Sequence, residues 1–109
     1  MRELKMNVFE TEGYAITVEI EGGLEEYAKN LLHITNNVRE HKELKKVINH
    51  YGSNDVTVYC DMEYREETMK YLENFGKVKS YERVLMYQLE EPDYNINKYN
   101  DAVVIPEFD

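Results

Sequence analysis

Three histidines, one cysteine and 22 acids are the side chains of this 109-residue chain with obvious chemical potential. His33, His41 and His50 stand eight and nine residues apart. At ~100° per residue on a helix this puts His41 and His50 on opposite sides, with His33 well away from either. No HxxxH or HxxE pair occurs, and a metal needs ligands that converge, so solvent-facing or helix-end histidines are expected and no metal site is assigned. Cys60 alternates with Val56 and Val58, which reads as one strand face and makes it a small buried hydrophobe. The alternative is a nucleophile, which needs a neighbouring histidine or a helix N-terminus to lower its pKa; Cys60 does precede a helical stretch. The pairs Glu25-Glu26, Glu66-Glu67 and Glu90-Glu91 read as helix starts and a strand exit rather than acid/base dyads. Gly22-Gly23 precedes a helix, but Glu19, Glu21, Glu25 and Glu26 surround it and oppose a phosphate there. No catalytic, cofactor-binding or metal-binding residue is therefore assigned.

The acids are informative through their distribution. Residues 1–26 hold seven acids against Arg2 and Lys5, and residues 90–109 hold six against Lys98, so each end carries −5 while the middle carries +1 of a total of −9. Such a chain repels nucleic-acid phosphates and anionic lipid surfaces. The expected partner is instead a protein with a basic surface. The C-terminal segment interleaves acids with tyrosines, and negative potential beside rigid amphipathic rings suits docking; its candidate partner-binding residues are Glu90, Glu91, Asp93, Tyr94, Tyr99, Asp101 and Glu107. A basic strip, Arg39, Lys42, Lys45 and Lys46, reads as a solvated helix face.

The elements that must position these residues follow from length and pattern. A chain of this length with 42% hydrophobic residues supports one self-folding domain. The expected division is an α+β domain over residues 1–91 and an acidic, tyrosine-containing tail over 92–109. One cysteine allows no internal disulfide, and no leader or long apolar run is evident, which together suggest a cytoplasmic setting.

Leu4, Met6 and Val8, then Tyr14, Ile16, Val18 and Ile20, alternate with polar positions, and Glu10-Thr11-Glu12-Gly13 between them reads as a hairpin turn. From Leu24 a helical stripe runs to Val38, and a second stripe, Leu44, Val47, Ile48 and Tyr51, lies on the other side of the same ideal helix. This predicts two helices, 24–36 and 38–51, with Asn37 to Glu40 as a capping box. Val56–Cys60 reads as a strand. Residues 65–75 read as a helix with Tyr64, Thr68, Tyr71, Leu72 and Phe75 on its face and Gly76 in the left-handed position past its end. Val78–Leu89 is apolar on both faces and reads as an interior strand, and Ala102–Ile105 as a short strand. Val18, Val58, Leu72 and Met86 are expected in one core. The order ββααβαβ suggests a two-layer α+β sandwich, a mainly antiparallel sheet with helices on one face, ferredoxin-like or a variant of it.

Tyr71-Leu72-Glu73-Asn74-Phe75-Gly76 before a final strand resembles the C-terminal half of acyl-CoA-dependent N-acetyltransferases. That family has Tyr followed by Gly-Phe and a pyrophosphate loop of spaced glycines; here the order is Phe75-Gly76 and Glu19–Gly23 has no such loop, so the chain is not assigned to it. The expected function is that of a small acidic, non-enzymatic interaction or regulatory protein. Its sharper form is a phage-type inhibitor that occupies its partner's nucleic-acid-binding site. The alternatives are a small-ligand-binding or enzymatic α+β domain, and a self-associating structural subunit that forms a homodimer.

Overall fold

The computed structural model describes residues 7–90 and 101–104. It is an α+β fold in which an antiparallel sheet carries two helices. In chain order the elements are β1 (Asn7–Ile20), α1 (Leu24–Glu40), β2 (Leu44–Asn49), β3 (Asp55–Asp61), a 3-10 turn (Met62–Tyr64), α2 (Arg65–Glu73), β4 (Gly76–Glu90) and β5 (Asp101–Val104). The sheet order is β2-β3-β1-β4-β5. Each helix thus joins two strands that are not neighbours: β3 lies between β1 and β2, and β1 between β3 and β4.

This order corrects the expected ββααβαβ in two places. No hairpin turn exists at Glu10–Gly13, where β1 runs straight through and pairs with β4 from Asn7↔Glu90 to Ile20↔Gly76. Gly13 lacks a positive φ and answers to crowding instead. A β-carbon there would stand 2.1 Å from the Cys60 carbonyl oxygen and 2.3 Å from Met86 Cε. Gly76 likewise opens β4 without a left-handed backbone, and its missing β-carbon leaves room for the Glu19 carbonyl, 1.9 Å from where that atom would sit. The glycines mark close strand approach rather than reversal.

The second correction is the expected helix 38–51. Helix α1 continues to Glu40, Asn37 to Glu40 form its last turn rather than a new start, and after a turn at Lys42 and Glu43 residues 44–49 form β2. The cause is a bulge. Leu44 pairs with Cys60 and Val47 with Val58, with the register shifting between Leu44 and Lys46. The extra residue turns a strand period of two into a spacing of three, which imitates a helix. Tyr51 and Gly52, with φ +81° at Gly52, then form the β2–β3 turn.

The main core lies between sheet and helices: Ile16, Val18 and Ile20 of β1, Val56, Val58 and Cys60 of β3 and Leu44 of β2 meet Ile34 and Val38 of α1 and Leu72 of α2. Val18, Val58, Leu72 and Met86 are all buried, but Met86 does not share this core. It belongs to a smaller cluster with Ala15, Val84 and Tyr59. Pairing explains the separation: Met86 faces Thr11 and Val84 faces Gly13, positions whose parity puts them on the other side of the sheet from Tyr14 and Ile16. Strand β4 is therefore apolar on both faces, as an interior strand requires.

Candidate functional site

Four of the terminal acids, Glu10, Glu12, Glu90 and Asp101, lie on strands that extend past one end of the sheet, whereas Glu19 and Glu21 lie at the other end. Strand β3 ends at Asp61 opposite Gly13, whereas β1 and β4 run on as a ribbon to Asn7 and Glu90, with β5 added on the outer side of β4. Across this extension Glu10 pairs with Tyr87, and Tyr87 with Asp101. Acid, tyrosine and acid thus stand at one level on three adjacent strands. Of the proposed partner-binding residues, Glu90 closes β4 and Asp101 opens β5; Glu91, Asp93, Tyr94, Tyr99 and Glu107 lie outside the described residues. Sequence reasoning missed Glu10, Glu12 and Tyr87. Their signal was the run Glu10-Thr11-Glu12, which acquires a meaning only once β1 is paired with β4.

Around the ribbon's base the charges are partly matched. Arg83 Nη2 lies 2.9 Å from Glu12 Oε1, and Lys45 Nζ 3.5 Å from Asp61 Oδ2. Arg65, at the start of α2, lies over the rings of Tyr14 and Tyr81, 5.1 and 5.0 Å from their centroids, a cation–π clasp that fixes α2 to β1 and β4. At the far end Lys79 reaches Asp55 at 3.0 Å and Glu19 at 3.7 Å. The hydrogen bond to Asp55 raises the Lys79 pKa. The basic strip is no single helix face: Arg39 ends α1, Lys42 follows it, and Lys45 and Lys46 lie on β2.

A shallow cleft between the C-terminal end of α1 and α2 is the alternative location for chemistry. Asn37, His41, Leu44, Tyr64, Thr68 and Tyr71 line it. The Asn37 amide donates to the Tyr71 hydroxyl, which lies 2.9 Å from His33 Nδ1. His33, Tyr71 and Phe75 pack as an aromatic joint, with Tyr71 and Phe75 edge to face at 5.1 Å. Burial pushes the Tyr71 phenol up and so favours its protonated form, against the opposing pull of the Asn37 hydrogen bond.

Cys60 beneath the cleft is fully buried. Its thiol too is pushed up by burial, against the opposing pull of a hydrogen bond with Thr68. The buried, protonated thiol has the character of core rather than nucleophile. The three histidines are dispersed: His33 on α1, His41 capping its C-terminus, and His50 after β2, where Nε2 lies 2.7 Å from Thr57 Oγ1. Among the described residues no three His, Cys, Asp or Glu side chains gather as metal ligands, and no helix is long and apolar enough to cross a membrane.

The chain matches no protein-family model, and neither a curated protein nor a solved structure shows significant similarity to it.

Proposed function

We propose that this chain is a βαββαβ domain of the ferredoxin-like arrangement that acts as a non-enzymatic interaction protein, its acidic ribbon docking on a partner protein with a basic surface. The arrangement is supported by the helices crossing between non-adjacent strands of an antiparallel sheet. The function rests on one observation above all: Glu10 near the chain's start and Asp101 near its end, far apart in sequence, are brought to one level of the ribbon on either side of Tyr87. Clustered charge speeds encounter, and aromatic area beside it anchors the complex. In its sharper form the domain is an inhibitor whose carboxylates occupy the partner's phosphate-binding surface. The cytoplasm is the compartment proposed for this encounter.

The test is kinetic. Partners are trapped by cross-linking the full chain in its native host, and association is then followed with the purified pair. The on-rate should fall on the order of tenfold between low and moderate salt, as the screening length shrinks from ~10 Å at 0.1 M. Asp93→Asn, Asp101→Asn and Glu107→Gln together should lower the low-salt rate in the same way. Association indifferent to both salt and the amides would remove the acids from the mechanism.

A further inference from the structure

We infer that the open edge of β1 from Asn7 to Glu12 takes up an extended, basic strand of the partner by strand addition, continuing the line of β3. The inference rests on the function proposed above and gives it an address and a mode. Strand β1 is paired on both sides from Gly13 to Glu19, with β3 on one and β4 on the other. From Asn7 to Glu12 the described residues pair it with β4 alone. The chain leaves the sheet after Asp61 into the 3-10 turn and α2, so β3 stops while β1 continues. Among the described residues, six residues of strand, ~20 Å at 3.4 Å per residue, thereby keep one row of backbone N–H and C=O groups without a strand partner. That length is a full ordinary strand.

The ground beside this edge is a groove rather than a flat surface. It is lined by Glu10, Glu12, Lys45, Asp61, Met62 and Glu63. Glu12 is engaged by Arg83 and Asp61 by Lys45, while Glu10 and Glu63 are exposed and make no ion pair among the described residues. The groove therefore keeps two uncompensated carboxylates. Charge selects the occupant. A second copy of this chain pairing antiparallel about Thr11 would set Glu10 of each copy against Glu12 of the other, and like charges directly opposite are unfavourable. A partner strand with Lys or Arg at alternate positions instead places its cations opposite Glu10 and Glu12. Its intervening side chains fall on the face of Thr11 and Gly13, the face Met86 occupies, so small or β-branched residues suit those positions. The recognised sequence is basic–small–basic in extended form, held by backbone hydrogen bonds and sorted by charge.

The probe is an acetylated, amidated hexapeptide of alternating lysine and valine, titrated into the full chain at low salt and followed by amide NMR. Shifts and new exchange protection are expected from Val8 to Glu12, with the β3 and α1 amides unmoved. The same peptide N-methylated at every inner amide keeps its charges but cannot pair, and should bind about tenfold or more weakly. Glu10→Lys, at an exposed and unpaired position, should weaken the unmodified peptide similarly while leaving the amide spectrum otherwise native. If the methylated peptide binds equally well, strand addition is wrong although the acidic-docking function survives; if neither peptide binds at low salt, both fall. A dimer of the free chain with protected Val8–Glu12 amides would assign the edge to a second copy and overturn the inference.

Discussion

Gly13 shows what a single missing atom does in this fold. Any β-carbon at that position meets a backbone oxygen, which cannot swing aside, as well as the tip of Met86. Gly13→Ala should therefore destabilise the chain by about 1–3 kcal/mol or more, the cost of overpacking a filled interior, read as a lower urea midpoint. A neutral outcome would mean that β1 and β3 are not in register at Gly13↔Asp61. From sequence this glycine read as a turn residue, because glycine serves both positive φ and close approach and only the neighbouring strand tells them apart. Cys60, by contrast, was legible: alternation with Val56 and Val58 put it on the inner face, and it is buried there. The aromatic joint of His33, Tyr71 and Phe75 was not, since residues 38 positions apart carry no mutual signal before α1 and α2 are docked.

At the scale of elements, strand β3, helix α2, strand β4 and the short strand β5 were legible because each has a clean period or a β-rich run. Strand β2 was lost to its bulge, and the front half of β1 to a polar run, Glu10 to Glu12, that faces no helix. Helix α1 is unevenly held. Ile34 and Val38 in its C-terminal half are buried, whereas Leu24 at its start is 85% exposed and Tyr27 and Leu31 are only partly buried against the core. Gly23 before it supplies no side-chain cap. Local opening should therefore run from that end. Native-state hydrogen exchange is expected to show amides of residues 28–32 exchanging well before those of residues 34–40; uniform protection along α1 would show the helix to be docked along its whole length.

For the molecule as a whole, three buried or half-buried acids with raised pKa values make stability sensitive to alkaline pH. Burial raises the pKa of Cys60, and of Tyr59 and Tyr71, with the Glu82 carboxylate adding to Tyr59. The folded state binds these protons more tightly than the unfolded chain, whose thiol and phenols titrate near 8.5 and 10. The stability these three groups contribute is thus fully present below pH ~8.5 and is lost as pH rises through the unfolded values toward the folded ones. Lys79 acts in the same direction but is fully exposed and screened by water. Urea midpoints at neutral pH and at successive alkaline values should fall along this sign; constancy to beyond the tyrosine range would place these groups in free contact with solvent. Charge was the whole-molecule property most legible in the sequence. Where the charge gathers was not, because the ends become neighbours only through the interleaved strand order.

That interleaving also governs when the molecule can exist. Strand β1 is made first, yet both its neighbours, β3 and β4, come from residues 55–90, and the helix following each crossover packs on a sheet that is not yet assembled. Helix α1 and the β2–β3 pair are local in sequence, whereas the central strand pairs only with residues 55–90. Closure of the sheet depends on contacts distant along the chain, which slows folding. Ile16, Val18 and Ile20 thus reach their full burial only after β3 and α2, residues 55–73, have been added to the chain.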